Sequence, residues 1–140
     1  DKVYTKRLKQ RTKDLHLRDK IFFHGHRDDY ISYMVHADCL IQTSRGEGVS
    51  RVLREAMFMR LPILSYSISG TQDLLENEVE ALLISSGQIG TFSTMLSKLL
   101  KDKELGQCLA DAAYRRYLLK HSNAVYTENL ISIFHQIGNQ

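Results

Sequence analysis

Short apolar runs alternate with helical patterns along this chain, and this alternation constrains the fold more than any other feature. The strand-like runs cover residues 20–24, 38–43, 62–66 and 81–84. The helical segments cover residues 3–16, 29–36, 48–60, 72–76, 89–101, 103–119 and 123–137. Strands and helices that alternate at this spacing form βαβ units around a parallel sheet covered on both faces. We therefore expect one Rossmann-like α/β domain over residues 1–140, with a helical C-terminal tail.

Composition indicates an ordinary globular domain and excludes several other classes. The chain has 140 residues, of which 43% are hydrophobic and 25% are charged, so it can bury a core. No apolar run approaches the roughly 18 residues needed to span a bilayer, and no signal-peptide pattern opens the chain. Cys39 and Cys108 are predicted to be small buried residues in a reducing compartment. These features favour a cytoplasmic protein and leave contact with the cytoplasmic membrane face open.

The first 20 residues are basic, with eight Lys/Arg against three Asp/Glu. Such a segment can touch nucleic acid or acidic lipid, or can be a solvated helix face. Aromatic residues do not interleave with these charges beyond Tyr4, which argues against a nucleic-acid platform. We expect no nucleic-acid partner.

Three glycine-containing loops, residues 24–27, 44–48 and 67–71, follow predicted strands. In a parallel α/β sheet, ligands bind outside the carboxyl ends of the strands, and glycine lets the backbone approach a ligand closely. In the second loop, the helix-start amides of Gly48, Val49 and Ser50 would lie at the positive end of the helix dipole, which favours a diphosphate. Gly46 belongs to the same turn, and Arg45 is a candidate for a phosphate contact.

Glu47 and Glu55 lie eight residues apart, the first in this loop and the second on the helix that follows. Two carboxylates near a helix start could hold the hydroxyls of a sugar or a ribose. Each also has a simpler explanation: Glu55 can pair with Arg51 at i,i+4, and Glu47 can stabilise the helix N-terminus.

The segment from His24 to Asp29 nearly spells the H-x-H-x-D-H metal motif of metallo-β-lactamase-like hydrolases, with Asp29 in place of the last histidine. Histidines at i and i+2 can share a metal. A metal-dependent hydrolase that uses His24, His26 and Asp28 is therefore an alternative. The same histidines could instead face solvent or cap the next helix.

The order of motifs resembles the C-terminal half of the GT-B glycosyltransferases called glycosyl transferases group 1. The matching segments are Ile21-Phe-Phe-His-Gly25, Ala37-Asp-Cys-Leu-Ile-Gln-Thr-Ser44, Glu47-Gly48 through Glu55-Ala-Met57, Pro62-Ile63, Gly70-Thr-Gln-Asp-Leu-Leu75 and Ala81-Leu-Leu-Ile84. The resemblance covers roughly residues 3–137, and its most specific element is the pair of glutamates with seven residues between them.

The resemblance implies a role for each matching position. Glu47 would contact the transferred sugar as the catalytic residue, and Glu55 would hold the ribose hydroxyls of a nucleotide-sugar donor. The backbone amides of Gly48 and Val49 would hold diphosphate or sugar oxygens, while Gly25 and its neighbours His24 and His26 would lie near the base. Transfer with retention, without metal or other cofactor, is implied as well.

Some positions depart from the family pattern: Thr43, Arg60, Asp73 and Ala81 stand where a proline, a small residue, a glutamate and a glycine are usual. The family's front strand with its Gly-Arg pair and downstream lysine, and its acceptor-binding N-terminal domain, are expected outside this chain. The isolated chain is therefore expected to be inactive. A catalytically silent nucleotide-sugar-binding module remains an alternative, and the open sheet edge leaves a homodimer open as well. Donor sugar, base and acceptor are not specified.

Overall fold

The computed structural model describes residues 2–138, which form three strands and seven helices. The elements are α1 (Lys2–Asp14), α2 (Tyr30–Val35), β1 (Leu40–Gln42), α3 (Arg51–Phe58), β2 (Ile63–Ser67), α4 (Ser69–Gln72), β3 (Leu82–Ser85), α5 (Ile89–Lys101), α6 (Lys103–Lys120) and α7 (Asn123–Gly138). The chain divides into two compact units, a small one that ends at Tyr30 and a larger one that begins at Ile31. The larger unit contains the sheet.

The sheet is parallel throughout, in the order β1-β2-β3. Leu40 aligns with Ile63 across the first pair of strands, and Ser67 aligns with Ser85 across the second. The carboxyl ends of all three strands therefore lie at one edge. This arrangement confirms the predicted α/β architecture, in which each strand is followed by a helix.

The strand predicted at residues 20–24 is not formed. Ile21 to His24 have no regular secondary structure, and Phe22 in the middle of the run is 69% exposed. A strand exists only through ladder hydrogen bonds to a neighbouring strand. The apolar content of this run indicates a strand, but the described residues provide no ladder partner for it.

The core lies between the sheet and the helices that follow β3. The central cluster consists of Leu64, Leu82, Ile84, Phe92, Leu99 and Leu109. Ile63, Leu64 and Ser65 of β2 are all buried, as expected for the middle strand of a sheet covered on both faces. On α3, the side chains of Leu53, Ala56 and Met57 are fully buried, and α3 packs on α6.

Strand β1 does not match its prediction as a strand buried on both faces. Its apolar Ile41 is 44% exposed, whereas its polar Gln42 is only 7% exposed. Since β1 is an edge strand, part of its surface lies outside the layers that cover β2. The burial of Gln42 has a separate cause in the hydrogen bonds described below.

Arg60 adopts a left-handed backbone conformation, with φ 53°, just after α3. A small residue, glycine above all, adopts such a conformation most easily. Here the guanidinium lies 4.4 Å from the ring centroid of Tyr114 and 3.4 Å from a carboxylate oxygen of Asp111. These contacts with α6 favour the conformation that an arginine would otherwise avoid.

The two cysteines differ in burial, which the sequence did not indicate. Cys39 is half-buried against the core cluster, and burial raises the pKa of its thiol. Cys108 is exposed on α6, so its predicted burial is wrong. The buried side of α6 is formed by Gly106, Leu109, Ala110 and Ala113.

Candidate functional site

The loop of residues 43–50 joins the carboxyl end of β1 to the start of α3 and is organised by the amide of Gln42. The Gln42 Nε2 donates to Glu47 Oε2 at 2.5 Å and to Ser50 Oγ at 3.2 Å. The Ser44 hydroxyl donates to the other carboxylate oxygen, Glu47 Oε1, at 2.8 Å. Both carboxylate oxygens of Glu47 therefore have a protein donor, although Glu47 itself is exposed. The carboxylate is held in one orientation at the protein surface.

Gly70 in α4 holds the loop from the other side. A Cβ atom at this position would lie 1.9 Å from the carbonyl oxygen of Gly48 and 2.5 Å from that of Glu47. Only glycine permits so close an approach of two backbones. The carbonyl groups of Glu47 and Gly48 are therefore packed directly on α4, which follows the neighbouring strand β2.

The groups that were predicted to hold a diphosphate lie at the start of α3, but the helix begins three residues later than predicted. The helix begins at Arg51, with Ser50 as its N-cap residue, and the Ser50 side chain makes no capping hydrogen bond. Gly48 and Val49 therefore lie in the loop before the helix, and Val49 is 64% exposed, so it does not belong to the apolar stripe of α3. The exposed Arg45 and Gly46 lie in the same loop. Loop amides and the positive end of the helix dipole meet here.

Glu55 lies one helical turn into α3, where its carboxylate is 3.4 Å from Arg51 Nε. The predicted i,i+4 ion pair is thus present, and the Glu55 side chain is 23% exposed. Glu55 also lines a cavity of about 460 Å³, a size in the range of small-molecule sites. The other lining residues are Ile31, Arg51, Arg54, Phe58, Met59, Tyr117, His121 and Asn123.

This cavity is basic and partly desolvated. Burial and, after it, the nearby Arg116, Arg54 and Lys120 lower the pKa of His121, which favours the neutral imidazole. Among residues 2–138, neither Arg54 Nε nor His121 Nε2 has a protein hydrogen-bond partner, although both atoms are buried. A ligand acceptor atom would satisfy Arg54 Nε, which can only donate, whereas His121 Nε2 donates or accepts according to the tautomer of its ring.

The predicted base-contacting residues lie in the first unit, on an exposed segment. Gly25 takes the left-handed backbone conformation, with φ 69°. The His24 ring stacks on Phe22 at 6.3 Å between centroids, and His26 approaches Asp28 at 3.5 Å with its side chain 94% exposed. Next to them, the Arg27 guanidinium donates to Asp29 and lowers the pKa of that carboxyl.

The alternative of a metal-dependent hydrolase requires a cluster of metal-binding side chains, and residues 2–138 contain none. In that part, no group of three or more His, Cys, Asp or Glu side chains is placed to hold a metal ion. His24, His26 and Asp28 do not form such a group.

The site residues that were not predicted include Gln42, Ser44 and Gly70. Gln42 appeared only as part of an apolar run, and Gly70 only as a turn glycine. The available signal for Gln42 was an amide at the carboxyl end of a strand-like run that is otherwise apolar, five residues before the first glutamate. For Gly70, no signal in the sequence identifies the atoms it approaches.

Comparison with known proteins identifies the family of the chain. Residues 1–116 match the model of the family Glycosyl transferases group 1. The chain belongs to this family. It is 26% identical over 104 residues to N-acetyl-alpha-D-glucosaminyl L-malate synthase of Bacillus anthracis. The aligned segment covers 74% of this chain and 27% of the relative. The chain is 25% identical over 124 residues to alpha-D-kanosaminyltransferase of Streptomyces kanamyceticus. That aligned segment covers 87% of this chain and 32% of the relative.

Solved structures show the same fold. Anabaena Alr3699/HepE, crystallised with UDP-glucose, superposes with a TM-score of 0.88 at 24% identity, over 100% of this chain and 38% of that one. The C-terminal domain of the glycosyl transferase group 1 protein LpcC from Francisella tularensis superposes with a TM-score of 0.74 at 19% identity, over 86% and 63% of the two chains. The fold is therefore that of the Rossmann-like C-terminal half of a GT-B glycosyltransferase.

The chain spans about a third of the length of these curated relatives. Among the residues that the structure describes, no helix is long and apolar enough to cross a membrane.

Proposed function

We propose that this chain binds the nucleotide-sugar donor of a glycosyltransferase, and that the full-length protein transfers the sugar to an acceptor hydroxyl with retention of configuration. The acceptor binds to a part of the protein outside this chain. The observation that carries the proposal is the fixed carboxylate of Glu47 beside the start of α3. UDP and UDP-glucose in the complexes of Anabaena Alr3699/HepE support a nucleotide sugar as the ligand class.

In this proposal, the Glu47 carboxylate accepts hydrogen bonds from hydroxyls of the transferred sugar. Each carboxylate oxygen offers about two acceptor positions, and the protein uses one on each, through Gln42 and Ser44. One position on each oxygen thus remains for the ligand. A carboxylate that is already oriented loses little freedom when the sugar binds, which favours affinity and alignment.

The diphosphate lies against the loop amides of Gly48 and Val49 and against the start of α3. The Ser50 hydroxyl accepts from Gln42 and is buried, so the backbone amides, rather than this hydroxyl, are the donors proposed for the phosphate oxygens. Arg45 in the exposed loop adds a positive charge. Charge that develops on the leaving diphosphate is neutralised by these donors and by the helix dipole, and no metal or other cofactor takes part in the proposed transfer.

Glu55 holds the ribose hydroxyls at the wall of the cavity on α3. Its ion pair with Arg51 is compatible with this role, because an i,i+4 helix pair contributes only a few tenths of a kcal/mol and does not prevent the carboxylate from accepting further hydrogen bonds.

Calorimetry with the full-length protein tests the proposal. UDP-glucose, UDP-N-acetylglucosamine and GDP-mannose are titrated into the wild type and into Glu55→Ala. Hydrogen bonds to charged groups contribute about 1.5–3 kcal/mol, so the affinity for the donor should fall by about 10- to 100-fold. Glu104→Ala, which removes an exposed carboxylate at the start of α6, is the control and should bind like the wild type.

Three outcomes would change the proposal. Wild-type protein that binds none of the three nucleotide sugars would refute donor binding within this panel. Unchanged affinity in Glu55→Ala would refute the ribose contact alone. A wild type that binds a donor but neither transfers nor hydrolyses the sugar would favour the catalytically silent module.

A further inference from the structure

Gln42 occupies a position where an apolar side chain would be expected. It is the last residue of β1, its side chain is 7% exposed, and its neighbours in the run are Leu40 and Ile41. Burial of an amide is unfavourable unless hydrogen bonds compensate for the lost water. The partners of this amide therefore indicate why it is present.

Both partners lie in the loop that follows the strand. The amide nitrogen has two N–H groups, and its two acceptors are Glu47 Oε2 at 2.5 Å and Ser50 Oγ at 3.2 Å. The opposite orientation of the amide would bring its oxygen against the carboxylate, which would be repulsive. The carboxylate therefore fixes the direction of the amide, and the amide fixes the carboxylate.

The bonds of Gln42 go to the loop rather than to the core. Gln42 Oε1 is buried and has no protein donor among residues 2–138, so the amide is only half satisfied by the fold. An apolar side chain of similar length would leave no such acceptor. A residue retained for stability alone would not be expected to have this pattern.

We propose that Gln42 is a positioning residue, which orients the Glu47 carboxylate for the sugar of the donor. This inference rests on the proposed function, because it takes Glu47 as the sugar contact. Gln42 itself touches no substrate. It acts through Glu47, so it affects the step that needs the sugar aligned and not the binding of the nucleotide as such.

The test compares Gln42→Met with the wild type in the full-length protein. The donor is the nucleotide sugar that binds most tightly among UDP-glucose, UDP-N-acetylglucosamine and GDP-mannose, and the ligand without sugar is UDP or GDP to match. Loss of alignment at a reacting centre costs about 100-fold for a displacement near 1 Å. We expect kcat to fall by about 10- to 100-fold, while the Kd for the nucleoside diphosphate and the midpoint of thermal unfolding remain close to those of the wild type.

Two further variants separate positioning from packing. Gln42→Glu keeps the shape but places a second carboxylate against Glu47, so positioning predicts a larger loss of kcat than in Gln42→Met, whereas packing predicts a smaller one. In a Glu47→Ala background, Gln42→Met should have no further effect on kcat, because its target is already absent.

The results distinguish this inference from the proposed function. If the wild type binds and transfers the sugar but Gln42→Met has wild-type kcat, the positioning role is wrong and the function stands. Equal weakening of donor and nucleoside diphosphate, or additive effects with Glu47→Ala, would also refute it. A wild type that binds no nucleotide sugar refutes the proposed function, and the positioning role with it.

Discussion

The loops of residues 24–29 and 43–50 both contain residues that the sequence predicts to belong to a site, but the two loops differ in the contacts that hold them in place. In the second loop, Glu47 is held by the buried Gln42, and the carbonyl groups of Glu47 and Gly48 pack directly on Gly70. In the first loop, the ion pairs join residues two apart, His26 with Asp28 and Arg27 with Asp29, on exposed side chains. The described support of the second loop comes from a buried side chain and a neighbouring helix, and such contacts give a candidate site a defined geometry.

Among the substitutions proposed here, Gly70→Ala should disturb the geometry of the second loop the most. The new Cβ would collide with two backbone carbonyl oxygens of the loop, and backbone cannot rotate away as a side chain can. Overpacking of this kind typically costs about 1–3 kcal/mol of stability, and a loop displaced by about 1 Å would lower kcat/KM by about 100-fold. Steady-state transfer by the full-length protein and thermal unfolding measure the two effects.

Gly90→Ala is the matched control for that substitution. A Cβ at Gly90 meets nothing within 4 Å, and Gly90 lies in α5, where alanine is favoured over glycine by about 1 kcal/mol. It should keep full activity and unfold at the same temperature or higher. Equal activity in the two variants would mean that the loop does not depend on the close approach at Gly70.

Ser44→Ala should have an intermediate effect and sharpens the comparison within the second loop. Ser44 donates to Glu47 Oε1 on the exposed side, whereas Gln42 donates from the buried side. A hydrogen bond contributes about 0.5–1.5 kcal/mol net, so kcat should fall by about 2- to 10-fold. Thr94→Ala removes an exposed hydroxyl that bonds locally within α5 and should leave transfer unchanged. A larger loss in Ser44→Ala than in Gln42→Met would contradict the importance assigned to the buried partner.

His26→Ala should have the smallest effect. The side chain is 94% exposed, and its neighbour Asp28 is fully exposed. Exposed ion pairs contribute little, so donor affinity should change by less than about twofold. The measurement is the same titration with UDP-glucose. A tenfold loss of affinity would show that the first loop contacts the donor closely, as the family resemblance implies for the neighbouring Gly25 and His24.

Helices α5 and α6 were predictable from the sequence because their determinants are local. The short helix predicted at residues 72–76 lies instead at Ser69–Gln72. Helix α5 runs over residues 89–101 as predicted, and α6 begins after Asp102, whose carboxylate accepts from Leu105 N at 2.9 Å. Side-chain periodicity and a capping residue within four positions suffice for such elements.

The features that depend on distant partners were predicted less well. Residues 21–24 have strand-like composition but no strand, since pairing is not encoded within the run itself. In β1, the apolar Ile41 is exposed and the polar Gln42 is buried, because an edge position and a hydrogen-bonding loop outweigh hydrophobicity. In the site, the loop glutamate and its helix were predicted, but the residues that orient them were not, as their contacts appear only in three dimensions.

The close approach of Gly70 to the carbonyl groups of Glu47 and Gly48 also bears on how the domain can be re-engineered. Two segments more than 20 residues apart in the chain share one steric constraint, so neither can be exchanged alone. A chimera that receives residues 43–50 from another member of the family would need a compatible residue 70 from the same source. An exchange intended to change donor specificity should therefore replace residues 43–50 and residue 70 together.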